Sequence, residues 1–161
     1  MARLPPNLPG MEAAFQRLAG LDGVLVTAGV QGVDAQTADG EATLLTVAAT
    51  NEFGDDEQNI PSRPWLRTSL DTHRERWGKL AGRVIKARGS GGSDGLPEIR
   101  LLGVAMAGDV KDVLSTGPWV PNAPLTKALK GSDQPLVDTQ RLLQSQRAMV
   151  EMPDGSSYLI G

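Results

Sequence analysis

"NEFGDDEQNIPSRPWLR", residues 51–67, is the stretch on which the layout of this chain turns. A helix ending in Asn51, Glu52 and Phe53 breaks at Gly54, and the polar run Asp55, Asp56, Glu57, Gln58 and Asn59 follows. Pro61 and Pro64 then bracket Arg63 and deliver Trp65 and Leu66 into a second helix. Proline fixes its own φ and biases the residue before it to extended backbone, so this connector is stiff as well as polar.

Upstream, Pro5, Pro6 and Pro9 make residues 1–10 an extended arm. Met11, Phe15 and Leu18 form one helical stripe that Gly20 can cap. Residues 23–30, valine-rich and opened by glycine, read as a strand, and 31–41 as a loop. Residues 42–53 place Leu44, Val47 and Ala48 at helical spacing.

Downstream, residues 65–87 form the longest expected helix, with Leu66, Leu70, Trp77, Leu80, Val84 and Ala87 as its apolar face. Residues 89–95, "GSGGSDG", read as a flexible spacer. A second long helix is expected over 97–116, with Pro97 in its first turn, Gly117-Pro118 as its stop, and Ile99, Leu102, Met106, Val110, Val113 and Leu114 inward. Gly103 and Gly108 each cost this helix roughly 1 kcal/mol relative to alanine, which close approach of another element explains. Residues 118–145 are irregular, with short helices near 123–130 and 138–145, the latter capped by Asp138 or Thr139. Asp154-Gly155 between two apolar runs signals a hairpin. The expected fold is α+β: a small antiparallel sheet from 23–30, 147–152 and 156–160 packed against two long helices, with extended loops. It forms a single domain over 11–161 behind the arm.

Composition narrows the function. Of 161 residues, 40% are hydrophobic and only 4% aromatic, so the core rests on aliphatic residues with Trp65, Trp77 and Trp119 as rare large pieces. A net charge of −3 argues against a general DNA-binding surface. Charge is uneven, however: Arg67, Arg74, Arg76, Lys79, Arg83 and Lys86 stand against Asp71 and Glu75 alone, a solvated face or a DNA-facing one. The absence of cysteine removes disulfides, thiolate metal sites and a cysteine nucleophile. No apolar run approaches the roughly 20 residues that cross a bilayer, and the first ten residues lack a signal-peptide core.

Catalytic signals are weak. His73 is the one histidine, with Ser69 and Trp77 four residues to either side, and packing on Trp77 is the simpler reading than catalysis. The acidic run 55–57 and the pair Asp109 and Asp112 lack the spacing of a calcium loop; a solvated loop and a wet helix face account for them. Residues 89–95 lack the Lys-Ser/Thr ending of a phosphate-binding loop. No cofactor or metal set emerges.

Two stretches carry a resemblance: "VAATNEFGDDEQNIPSRPWLRTSL" (47–70) and "WVPNAPLTKALKGSDQPLVDTQRLLQS" (119–145). Their order is Asn-Glu-Phe-Gly, then Ile-Pro-x-Arg-Pro-aromatic-Leu-Arg, a long helix, and later Lys-Gly-Ser and Pro-Leu-Val-Asp-Thr. This resembles the neck or tail-completion family of tailed phages, over residues 24–150, with the helices between matched in pattern only. The family has Asp-Thr-Gly where this chain has Asp138-Thr139-Gln140.

The resemblance implies a non-enzymatic ring subunit, a hexamer or dodecamer, which assembles in the bacterial host cytoplasm into the virion neck. There it joins tail to head, touches other neck and tail proteins, and lets DNA pass without sequence-specific binding. Closed rings use heterologous interfaces. The candidate interface residues are Glu52, Phe53, Ile60, Arg63, Trp65, Arg67, Trp119, Pro121, Leu125, Lys130 and Asp138, with Arg74, Lys79, Arg83 and Lys86 facing DNA. On this reading the loop 55–60 projects, and Arg63 and Arg67 pair with acids of a neighbour or with groups of their own chain. Trp119 with Pro121, Pro124 and Leu125 offers a stiff apolar surface; Trp77 fits the core, and Trp65 fits either role. Two alternatives remain: an adaptor that grips nucleic acid through 67–86, and a small hydrolase built on His73 and Asp71.

Overall fold

The computed structural model describes residues 10–31, 43–121 and 141–160. In chain order these hold α1 (Met11–Ala19), β1 (Leu25–Val30), α2 (Leu44–Phe53), α3 (Trp65–Ser90), α4 (Leu96–Thr116), α5 (Arg141–Gln144), β2 (Gln146–Glu151) and β3 (Ser157–Ile160). Residues 1–9, 32–42, 122–140 and 161 lie outside the described residues. The helix expected near 123–130 and the cap at Asp138 or Thr139 fall there.

The sheet is antiparallel in the order β1-β2-β3. Its register pairs Leu25 with Glu151 and Val30 with Gln146, then Ala148 with Ile160 and Glu151 with Ser157. Alternation along β2 buries Gln146, Ala148 and Val150 and exposes Arg147 and Glu151, as a sheet with one covered face requires. The β2–β3 turn is closed by Met152 N–H donating to Ser156 O (2.8 Å) and by Gly155 at φ 84°. This is the expected α+β class, with the strands where the sequence placed them.

The two long helices pack on each other, and α4 lies on the sheet. At Gly103 a Cβ would stand 3.1 Å from Ile160 Cδ1 and 3.3 Å from Ala148 Cβ, so this glycine sets the helix–sheet distance. Gly108 has nothing within 4 Å of that position, and close approach does not explain it. Two buried groups form the core: Leu44, Ala48, Trp65, Val110, Leu114 and Leu142 at one end, and Val84, Ile99 and Val150 at the other.

Three expectations change. Leu70 is 53% exposed; the first turns of α3 bury Trp65 and Ser69 instead. A serine is tolerated there because its hydroxyl donates to Trp65 O at 2.7 Å. Residues 89–95 are not a loose spacer: α3 continues to Ser90, and the chain reverses through Gly91 (φ 77°) and Gly95 (φ 85°). Arg88 Nη1 to Asp94 O (2.5 Å) and Leu96 N–H to Asp94 Oδ1 (3.0 Å) tie that turn, which makes it a tight helix–helix connection. Asp109 is not on a wet face. It is 6% exposed and accepts from the indole N–H of Trp77 at 2.7 Å, from Arg76, and lies 3.7 Å from His73 Nδ1. Among the described residues no helix is long and apolar enough to cross a membrane.

The contrast between the two glycines is measurable by urea denaturation. Gly108→Ala should stabilise the protein by about 0.5–1 kcal/mol through helix propensity. Gly103→Val should destabilise it by about 1–3 kcal/mol by prising α4 off the sheet. Equal effects at the two sites would refute the assigned contact.

The hairpin gives a pH dependence. Asp154 Oδ1 accepts from the Ser156 hydroxyl (2.6 Å) and its backbone N–H (2.8 Å), and these bonds hold the carboxyl below the ordinary aspartate value. A carboxyl lowered on folding stabilises the folded state above its unfolded pKa, and that contribution is lost as pH falls through the folded value. An NMR titration of Asp154 should therefore give a midpoint below the usual value of about 3.9, with the turn loosening in more acid solution. A midpoint at or above it would show the turn does not hold the carboxylate.

Candidate functional site

The connector that opens the sequence closes on itself. α2 stops at Gly54, whose φ of 82° suits glycine and whose N–H returns to Thr50 O at 2.8 Å. A Cβ there would also sit 2.9 Å from Ser62 N and 3.0 Å from Ile60 O, so both conformation and space demand glycine. Asp55 and Ile60 exchange backbone bonds of 2.9 and 2.8 Å, and Asp55 Oδ1 accepts from Gln58 N–H at 3.1 Å. Asn59 completes the turn at φ 54°, a region asparagine tolerates. The polar run is thus a closed loop with Asp56 and Glu57 exposed at its tip.

The returning strand of this loop is bound to the end of α2. Ser62 Oγ donates to Glu52 O (2.8 Å), and Arg63 N–H donates to Asn51 O (2.7 Å). The Arg63 guanidinium, only 5% exposed as a residue, donates to Asn51 Oδ1 and Val120 O, both at 3.0 Å. Burial draws its pKa below the ordinary guanidinium value. Arg63 therefore also anchors the segment after α4. Trp119 adds to this, its indole N–H donating to Leu114 O at 3.0 Å and covering the end of that helix.

Glu52 completes the clasp. It is 3% exposed, and its carboxylate accepts from Leu66 N–H (2.9 Å), Arg67 N–H (3.2 Å) and Arg67 Nε (3.0 Å). The N-cap residue of α3 is Pro64, which has no side-chain acceptor. The acceptor comes from α2 instead, and a negative charge there also meets the positive end of the α3 dipole. Arg67 Nη2 reaches Glu52 O at 2.9 Å, and its guanidinium lies 5.3 Å from the centroid of the Phe53 ring.

These contacts correct the interface assignments for Glu52, Arg63 and Trp65. Each is buried, and the first two are committed to their own chain. Trp65 is fully buried in the core. Arg67 pairs within its chain yet leaves 57% of its side chain exposed. Phe53 remains outward at 70% exposure, Pro121 is exposed, and Ile60 and Trp119 are half-buried. Leu125, Lys130 and Asp138 lie outside the described residues.

Beside the clasp an open, mainly apolar groove of about 400 Å³ runs between β1 and α2. Residues 28–31 form one wall, Leu45, Ala48, Ala49 and Phe53 the other, and Glu52, Leu66 and Arg67 one end. Leu45, 60% exposed, stands at its mouth. The basic residues of α3 do not share one line. At about 100° per residue, Lys79, Arg83 and Lys86 fall on one stripe and Arg74 on another, and Lys79 bonds Glu75 at 2.7 Å.

Sequence reasoning missed the His73–Arg76–Trp77–Asp109 cluster. Its stack of His73 on Trp77, 6.2 Å between centroids, was foreseen; its carboxylate was not. The carboxylate near His73 is Asp109 rather than the exposed Asp71, and it is already engaged by Trp77 and Arg76. Ser69, one turn away, spends its hydroxyl on Trp65 O. The cluster ties α3 to α4. Among the described residues no group of three or more His, Cys, Asp or Glu is placed to hold a metal ion.

No protein-family model, curated protein or solved structure matches the chain.

The clasp predicts a graded response. Glu52→Ala leaves the first N–H groups of α3 and the Arg67 guanidinium unanswered and should cost about 2–3 kcal/mol. Glu52→Gln keeps an acceptor but loses the charge and should cost about 1 kcal/mol. Urea melts that rank the two equally would contradict a charged cap.

Proposed function

We propose that this protein is a structural subunit of the head–tail junction of a tailed bacteriophage, a neck or tail-completion protein that assembles as a ring. The observation that carries this reading is the ordered pair of motifs at 47–70 and 119–145. The geometry supports it in a specific way. The first motif forms a rigid clasp in which Glu52, Ser62 and Arg63 bond within their own chain, and Arg63 binds it to Val120 in the second. A rigid edge of this kind lowers the ordering cost of assembly. It presents Phe53 and Leu45 beside an open apolar groove, the sort of exposed patch that marks a protein–protein contact.

In the ring, each copy contacts a neighbour on either side through two different surfaces, and DNA passes through the lumen. The role is non-catalytic and needs no cofactor. Arg83 and Lys86, exposed and without an ion-pair partner among the described residues, give the lumen a mild attraction for phosphate if that stripe of α3 faces inward.

Native mass spectrometry of the full chain, alone and recovered from particles, tests the reading. A hexamer or dodecamer is expected. A protein that is monomeric in solution and on particles, or absent from particles, would overturn it. Duplex DNA binding with a steep salt dependence would favour a gripping adaptor over a passive channel.

A further inference from the structure

Among the described residues β1 and β3 are the two edges of the sheet, and neither carries a charged residue or a proline. Natural edge strands are ordinarily guarded by such residues, because an open edge is a template for another strand. Gln31 N–H donates to Ser145 O (3.2 Å), continuing the β1–β2 register by one residue. Antiparallel alternation therefore turns the backbone groups of Val26, Ala28 and Val30 away from β2. Met152 N–H to Ser156 O (2.8 Å) continues the β2–β3 register, which turns those of Ser157 and Leu159 outward.

The two edges differ in shape and charge. Along β1, residues 28–31 open into the apolar groove, whose wall ends at Phe53, and the acidic turn of Asp55, Asp56 and Glu57 follows directly. β3 spans four residues and is apolar at its surface, with Tyr158 43% and Leu159 51% exposed. α4 lies over all three strands, and its Gly103 meets Ile160 of β3 and Ala148 of β2. The start of α3 reaches the β1 edge, where Leu66 Cδ2 would stand 3.6 Å from a Cβ at Gly29. Beside Gly103, where α4 meets β3, the helix carries exposed Val104, the next residue, and Arg100, one turn before it. One edge is a groove with an acidic rim; the other is an apolar ridge with an adjacent arginine.

We propose that the β1 edge and its groove receive β3 of a second copy, so that the sheets of successive copies join head to tail. This rests on the ring reading above and names the surfaces that build the ring. β1 and β3 both run antiparallel to β2 and so point the same way; the strand joint between copies is parallel. Tyr158 and Val104 approach the groove, and Arg100 approaches the acidic turn. Because the donor and acceptor edges are different surfaces, the contact repeats without saturating and closes as a ring.

The chain has no cysteine, so introduced thiols report the contact cleanly. Leu25→Cys and Leu159→Cys lie at exposed positions on the same face of the two edges, and Thr27→Cys supplies a second register. Concentrated full-length double variants (L25C/L159C and T27C/L159C) are oxidised and run on non-reducing gels, with native mass spectrometry in parallel and circular dichroism as the check of folding. A disulfide ladder ending at the ring size, requiring both cysteines, is the expected result. Leu159→Lys without cysteines should lose the ring while keeping the helical spectrum. A ring that forms without a ladder in either double variant, or with Leu159→Lys, overturns the edge joint and leaves the ring reading standing. Monomer alone in solution, with no ladder, overturns the edge joint, and monomer on particles as well overturns the ring reading too. Disulfide-linked dimers of the single variant Leu159→Cys would mean that like edges pair, which also overturns the proposal.

Discussion

The carboxylate of Glu52 at the start of α3 is the contact on which the rest of the structure depends. A helix of 26 residues needs its first N–H groups answered, and the residue before it, Pro64, has no side-chain oxygen to do so. Glu52 reaches across from the end of α2 and takes two of them. Its near-complete burial is tolerated because Arg67 balances its charge. Once this bond is made, the direction of α3 relative to α2 is set. Trp65 then fills the core between α2, α4 and α5, with Leu44, Ala48, Leu114 and Leu142 around it.

The constraint explains why the connector is both polar and stiff. Gly54 and Asn59 supply the two positive-φ positions that let the loop turn, Pro61 stiffens its return, and Pro64 turns it tightly into α3 through Trp65 N–H to Arg63 O (2.8 Å). Nearly every polar group it brings back is answered by the end of α2 or by the segment after α4. What such a clasp leaves exposed is an aromatic ring at the end of α2, a groove at its side and an acidic turn beyond it. Groove and clasp lie at the β1 side of the sheet, and β3 forms the other side. The proposed head-to-tail assembly rests on this asymmetry.

Much of the fold could be read from local signals. Gly23, the valines after it and the turn at Asp154-Gly155 placed all three strands, and the proline and glycine stops bounded both long helices to within a few residues. The side chains that matter most were hidden, because their partners are remote. Glu52 lies 14 residues from Leu66 and Asp109 lies 32 from Trp77, and no local pattern says that such an acid turns inward. With Lys111 and Asp112 beside it, Asp109 looks like part of a wet surface. The one clue was Trp77, whose indole N–H finds an acceptor in most covered sites, although that of the buried Trp65 has none among the described residues. For Arg63 the sequence left open a bond to a neighbour or to its own chain, and only the path of residues 118–121 past the end of α2 decides it.

Amide hydrogen exchange at Leu66 and Arg67, followed by NMR in the full chain and in Glu52→Ala, addresses the clasp most directly. If Glu52 caps α3, both amides are protected in the native protein, although they begin a helix whose first N–H groups have no partner within it, and both lose that protection in the variant while the middle of α3 keeps its own. Rapid exchange at both positions in the native protein, or protection unchanged by the substitution, would contradict the account.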